Sequence, residues 1–424
     1  MTGETFGELL RQIMTERGIG VRALARQVPC DPAHISRLRQ GHIGISERMA
    51  IRLDEILQAG GHLVDLAEST PDSVSPGRAD DDNEDVDRRT LLGLMATSAA
   101  TSSLARDAEP LRDAFEAAVA ADASDRDAST WERVAHDYAR EVGWSSAAVL
   151  QQELTADFAE LTRLLPAGRG TARTRLVHVA AQLAALMAIN LTNLGEGRSA
   201  RRWWRTAARA ADQTGDHTAA ALVRGRAAVF ALYADAPRLS AVEAAEEAIA
   251  VGQGVPCAGV ASGHAAKAQA LAELGRHDEA SDALDDLRGV FEQLPDAVRT
   301  DRGSQWGWSN GRLLYVTSLV HTCAGNVESA MAAQDAALAL YPRRNWQARA
   351  QVEMHRAGAL IRAGDVDEGA HHMARVLESL PAEQRSDGLL RGSALTSLRL
   401  AAPAQARRPS IQQARELLAS TGDR

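Results

Sequence analysis

"LARQVPCDPAHISRLRQGH", Leu24 to His42, holds two short apolar periodicities on either side of a Pro-Cys step. In the first, Leu24, Ala25 and Val28 share one face at helical spacing, and in the second Ile35 and Leu38 do the same. Asp31 suits an N-cap, and Pro32 suits the first helical position, where its missing N–H costs nothing. The stretch predicts two short helices meeting at a turn around Pro29 and Cys30, crossing so closely that Ala25 has to be small.

Working outward, residues 5–16 put Phe6, Leu9, Leu10, Ile13 and Met14 on one helical face, with Gly18 as the stop. On the other side a further helix begins after Ser46, carries Met49, Ile51, Leu53, Ile56 and Leu57, and ends at Gly60–Gly61. This arrangement, over about the first 65 residues, resembles the helix-turn-helix of the Cro and phage-repressor-like (XRE) family. The small Ala25, the apolar Ile35 and Leu38 and the closing Gly41 occupy that family's spacing, while Pro29 stands where many members carry glycine. The resemblance implies that the second helix of the pair enters the DNA major groove with its N-terminal residues towards base edges. By position Pro32, Ala33 and Arg37 would lie nearest the bases, with His34 and Ser36 at the margin. The Arg37 fork suits O6 and N7 of guanine. Residues 1–67 carry eight Arg and eight acids, yet from Arg17 to Arg39 five Arg face Asp31 alone. Arg22 and Arg39 belong to that local excess, which fits a phosphate-facing surface, and Gln40 and His42 would add backbone contacts. One such head reads a half-site, so a homodimer on a double-stranded DNA operator is expected.

Ser69 to Asp87, with two prolines and a dense run of acids, has the composition of a solvated linker. The expected domains are therefore a DNA-binding head at 1–68, an acidic flexible linker at 69–86, and a helical remainder at 87–424. Within that remainder "VDRRTLLGLMATSAATSSLA" (86–105) looks like a twin-arginine export signal, but it follows a complete head and an acidic linker. A structural role fits better: Asp87 caps a hinge helix whose Leu91, Leu92, Leu94, Met95, Ala96 and Ala99 form an apolar surface. Leu91 to Ala105 is broken by five Ser or Thr and falls short of the ~20 residues that span a bilayer. No membrane segment is expected, and the start of the chain lacks a secretory pattern, so the expected compartment is the cytoplasm.

Beyond residue 105 helical periodicity dominates, and the fold class expected is all-α. A pattern of a helix ending at Gly, a short turn and a second helix recurs at 194–210, 274–290, 324–342 and 363–381. Its small position is taken by Ala200, Ala280, Ala330 and Gly369, and a further copy places Ala241 there. The spacings are 41, 39, 50 and 39 residues. These segments resemble tetratricopeptide repeats, which stack into an α-solenoid with a concave face. That register would point Gln182, Asn193, Gln269, Glu273, Arg312, Tyr315, Gln351 and Arg362 into the groove. The unusual "QWGWSNGRLLY" (305–315) adds Trp306, Trp308 and Asn310, with ligand contact and aromatic packing weighted equally.

The order of head and repeats resembles the peptide-responsive RRNPP regulators, and more closely the long actinobacterial regulators with "GAGG" after the head and "RRTxL" before the repeats. Here those are "QAGG" (58–61) and Arg88 to Leu92. The resemblance implies gene control by a ligand-sensing, dimeric repressor or activator whose effector is a peptide, a small molecule or a protein. The alternative is an adaptor whose repeats capture a partner protein and whose head brings it to DNA. A net charge of -9 argues against a general nucleic-acid coat but not against one basic face. Phosphate-loop, HExxH, HxE…CxxC and GxSxG patterns are missing. Cys30, Cys257 and Cys323 are odd in number and widely spaced. No catalytic residue, metal site or cofactor is expected.

Overall fold

In a computed structural model of the chain the described residues are 6–17, 19–21, 24, 28, 35, 38–39, 45, 47–57, 59, 61–68, 125–166, 169–233 and 236–419. All the regular structure among them is helical. The chain separates into two compact units, Met1–Thr97 and Ser98–Arg424. The expected hinge helix at 87–105 and the linker at 69–86 lie outside the described residues.

The first unit is built on the apolar spacing of the opening stretch. Leu24, Val28, Ile35 and Leu38 are all at most 1% exposed. They share one core with Leu10 and Met14 of α1 (Phe6–Glu16), Leu53 of α2 (Glu47–Ile56), Leu57 just beyond it, and Leu63 of α3 (His62–Glu68). Each fully buried leucine contributes about 1.5–3 kcal/mol, which is what lets so small a unit hold together. The helix expected to stop at Gly60–Gly61 ends at Ile56, and a further helix follows directly after Gly61. Gly61 takes φ 93°, and the buried Asp54 accepts from the N–H groups of Gly61 (2.8 Å) and Leu63 (3.0 Å), so its carboxylate starts α3. Seven residues are too few for a helical period to show in the sequence.

The second unit is a succession of helix pairs. They are α4 (Asp125–Glu141) with α5 (Ala147–Leu164), α6 (Thr171–Asn193) with α7 (Gly197–Gln213), and α8 (His217–Ala231) with α9 (Arg238–Val251). Next come α10 (Ala258–Glu273) with α11 (His277–Gln293), the short α12 (Asp296–Thr300), and α13 (Asn310–Ala324) with α14 (Val327–Leu340). The chain continues through α15 (Trp346–Ala363) with α16 (Val366–Ser379), the short α17 (Ala382–Arg385), α18 (Gly388–Leu398) and α19 (Pro409–Ala419). Four of the turns inside pairs close identically. Gly195, Gly275, Gly325 and Gly364 sit at φ between 76° and 103°. In each, the N–H of the residue after the glycine reaches back five residues, as from Glu196 to the Leu191 carbonyl and from Arg276 to that of Leu271. This left-handed closure favours glycine and ends each helix where the sequence pattern repeats. The small positions Ala200, Ala241, Ala280 and Ala330 are at most 3% exposed, and Gly369 is buried.

α6 is the hub. It packs against α4, α5, α7 and α8, and it is buried nearly all round. Residues 176–195 carry no Asp, Glu, Lys or Arg, a longer uncharged run than Leu91 to Ala105. α6 is long and apolar enough to cross a membrane, but 89% of its most apolar window is buried within the unit, where that composition serves as core.

α8 crosses α10 at backbone contact. A Cβ on Gly225 would lie 2.2 Å from the Gly259 carbonyl oxygen, and one on Gly259 would lie 2.2 Å from the Ala221 carbonyl carbon. Gly259→Ala is expected to lower stability by about 1–3 kcal/mol or more, because backbone cannot yield as a side chain does. Gly289, inside α11, meets nothing within 4 Å. Gly289→Ala is therefore expected to raise stability by about 0.5–1 kcal/mol. Urea unfolding midpoints of the two variants check the opposite signs.

Candidate functional site

In the head the described residues are the scaffold of the DNA-reading pair. Ile35 and Leu38 are buried in helical conformation, and Leu24 and Val28 are joined by a backbone bond of 2.9 Å from Val28 N–H to the Leu24 carbonyl. Arg39 is helical and half-buried. Arg22, Pro32, Ala33, His34, Ser36, Arg37, Gln40 and His42 lie outside the described residues.

The inner face of the helical unit is occupied by the chain itself. α18 lies on α15 and reaches across to α6, and a Cβ on its first residue, Gly388, would be 2.2 Å from the Thr192 carbonyl oxygen. Asp387 caps it, accepting from the N–H groups of Leu389 (3.0 Å) and Leu390 (2.9 Å), while Gln347 Nε2 donates to its other oxygen at 2.8 Å. Along α18 the small polar residues find partners on other pairs. Gln351 Nε2 donates to Ser393 Oγ (3.0 Å), the Thr396 hydroxyl to Glu273 Oε2 (3.2 Å), and the Ser397 hydroxyl to the Met354 carbonyl (2.7 Å). The same Glu273 oxygen also accepts from Arg238 Nε at 2.7 Å. Gln347 also donates to Asn193 Oδ1 at 3.4 Å.

Four of the residues expected in a groove, Asn193, Glu273, Tyr315 and Gln351, thus do converge, and what they meet is α18 and its cap. Tyr315 shares a 2.7 Å hydroxyl contact with Tyr233 and stacks at 4.7 Å on the ring of His355, whose Nδ1 is 3.1 Å from Ser318 Oγ. Gln182 is half-buried and bonded to His178 at 3.0 Å. Gln269 is 2% exposed and donates to the Ala265 carbonyl of its own helix. Arg362 is exposed at the end of α15 and Asn310 at the start of α13, both apart from this interior.

The segment "QWGWSNGRLLY" is a strap. Gln305 N–H donates to the Ala139 carbonyl at 2.7 Å, its Nε2 donates to Val142, and its Oε1 accepts from Arg226, so one side chain ties three parts of the unit together. Trp308 is 2% exposed, its indole N–H donates to Ser262 Oγ at 2.9 Å, and Trp306 packs on the core around α6. Arg312 donates to the carbonyls of Ser304, Gln305 and Gly307, which fixes the strap's curvature. Here the aromatic-packing reading of Trp308 and Arg312 accounts for what they touch.

Sequence reasoning missed Asp387, Gln347, Ser393, Thr396, Ser397 and Arg226. α18 is mostly Leu, Ala, Gly, Ser and Thr with a single charge at Arg391, and seven of its eleven residues are buried although Leu395 is exposed; this weakly polar composition was the available signal. Arg226 is 7% exposed and stacks at 5.0 Å on Phe230 with its Nε unpartnered. Burial pushes its pKa well down, and the neighbouring Arg312 adds to this.

A family model described as a helix-turn-helix domain matches residues 5–67. Comparisons with curated proteins and with solved structures returned no match. The matched residues contain the whole apolar set that forms the first core, and the chain carries an N-terminal helix-turn-helix domain of the kind found in DNA-binding regulators.

Two buried groups of the interior titrate in opposite senses. Burial raises Asp387 from 3.8 to about 6, against the bonds from Leu390, Gln347 and Leu389, and burial lowers His355 from 6.5 to about 3. Between pH 3.8 and about 6 the folded chain keeps a proton on Asp387 that the unfolded chain has lost, so this group's contribution falls as pH rises. Between about 3 and 6.5 the unfolded chain holds a proton on His355 that the folded chain does not, so that contribution rises with pH. The two offset one another in the native protein. Asp387→Asn keeps the cap and removes the first, so the variant's stability is expected to climb relative to wild type by about 1 kcal/mol per pH unit between 4 and 6. Urea unfolding across that range checks this, and parallel curves for the two proteins would contradict it.

Proposed function

We propose that the chain is a transcription regulator that binds a specific operator as a homodimer, and that its helical unit responds to an effector. The observation that carries the DNA-binding part is the coincidence of the matched domain with a core in which Leu24, Val28, Ile35 and Leu38 are sealed from water. In such a domain those residues fix how the second helix of the pair is presented. In this reading Arg37 bonds guanine, Pro32, Ala33, His34 and Ser36 border the bases, and Arg22, Arg39, Gln40 and His42 hold phosphates. Two heads on symmetric half-sites supply the affinity that one lacks.

The left-handed glycine turns and the buried small positions support a tetratricopeptide-like register for the helix pairs, and with it a sensor role of the RRNPP kind. The effector, a peptide or small molecule, then has to favour one arrangement of the unit over another, since equal affinity for both shifts nothing. Because Asn193, Glu273, Tyr315 and Gln351 already serve α18 and its cap, an effector that uses them exchanges with that helix instead of entering a vacant groove.

The test is operator binding by fluorescence anisotropy, with the operator selected from random duplex DNA by the full chain. Arg37→Ala is expected to weaken binding by about five- to 150-fold, the equivalent of the 1–3 kcal/mol of a bidentate guanine contact, with the far-ultraviolet circular dichroism unchanged. Undiminished affinity in a folded variant would overturn the role given to Arg37.

A further inference from the structure

A second candidate site lies away from the α18 interior, where α11 and α14 end and α13 begins. It is a cavity of about 230 Å³ whose polar side is formed by Ser309 and Asn310, with Arg299 and Arg302 on the preceding segment. Phe291, Leu340 and Pro342 form its apolar wall.

Ser309 occupies the N-cap position of α13, a helix of 15 residues, where a serine hydroxyl ordinarily accepts from the second or third N–H of the helix. Here the Ser309 carbonyl accepts from Arg312 (2.9 Å) and Leu313 (3.3 Å), but the hydroxyl makes no capping bond. The residue is 7% exposed, and its hydroxyl has no hydrogen-bond partner among the described residues. With no partner among the described residues, that hydroxyl is free to bond a ligand held in the cavity. Beside it the first N–H groups of α13 have no acceptor within the helix and carry the positive end of its dipole. Access to them depends on Gly311. A Cβ there would lie 3.2 Å from the Tyr341 ring, crowding the space next to Ser309 Oγ.

The charges select the ligand. Arg299 is paired with Asp296, whereas the exposed Arg302 has no ion-pair partner among the described residues. Two guanidiniums and one carboxylate leave a single positive charge, which balances a monoanion and not a dianion. A volume below the ~300–1,000 Å³ of drug-sized pockets limits the ligand to a small molecule, and the apolar wall calls for an apolar or aromatic body.

We propose that this cavity binds a small apolar monocarboxylate, with the carboxylate on Ser309, the first turn of α13 and Arg302, and the apolar body against Phe291, Leu340 and Pro342. The binding itself does not depend on the proposed role in transcription.

The test is a saturation-transfer NMR titration of the full chain with phenylacetate, with neutral phenylacetamide and doubly charged phenyl phosphate as comparisons. Phenylacetate is expected to bind saturably with a dissociation constant of about 1 mM or tighter. Each comparison compound is expected to bind at least tenfold more weakly. Asn310→Asp puts a negative charge at the first position of α13, which favours the helix and repels the ligand. It is expected to weaken phenylacetate at least tenfold without lowering the unfolding temperature, and Arg302→Ala is expected to weaken it at least threefold. Absence of saturable phenylacetate binding, equal binding of phenylacetamide, tighter binding of phenyl phosphate, or affinity unaltered by Asn310→Asp would each overturn the assignment.

Discussion

Polar groups can be taken out of water only if they find partners, and the helical unit is organised around this requirement. Its interior holds the carboxylates of Asp387 and Glu273, three serine or threonine hydroxyls on α18 and the amides of Gln347 and Gln351 on α15, and they are bonded across the helix pairs to one another or to backbone. Because the partners come from pairs far apart in sequence, such as Thr396 and Glu273, α18 cannot leave without exposing unpaired groups on α10 and α15 as well as its own. The part of the strap before α13, residues 305–309, does the same on the other side, where Gln305 joins Ala139, Val142 and Arg226. Neither piece forms one of the regular pairs, yet they set what the inner face can contact.

This explains which features could be read from the sequence. The head was legible because most of its buried positions are apolar residues at helical spacing, Leu10, Met14, Leu24, Val28, Ile35, Leu38, Leu53 and Leu57 among them, and those residues are sealed in its core. The helix pairs were legible because their turns need a residue at positive φ, and glycine marks four of them at the expected places. The interior was half legible. A repeat register puts Asn193, Glu273, Tyr315 and Gln351 on one side, but it carries no information about what faces them. α18 has neither the turn glycine nor the one-sided apolar stripe of the pairs, because its buried positions include Ser393, Thr396 and Ser397 while Leu395 is exposed. α3 escaped for a different reason, since its start depends on a side chain seven and nine residues away, Asp54.

In the proposed function the DNA-reading chemistry and the responsive chemistry lie in separate units with different physical demands. There the head needs only a rigid scaffold and exposed base-contacting residues. The proposals give the helical unit two places for a ligand to act, the interior covered by α18 and the small cavity beside Ser309 at the start of α13. A regulator built this way would respond by exchanging internal hydrogen bonds for those of an effector, and the free-energy difference between the two sets would limit the response.

The account rests most heavily on α18 being an integral, sealed element. Hydrogen–deuterium exchange of the full chain, followed by mass spectrometry, tests this directly. The amides of α18 are expected to exchange as slowly as those of α6, the buried hub, because losing α18 would break the polar interior. Exchange of 388–398 at the rate of an exposed helix, with α6 still protected, would contradict it.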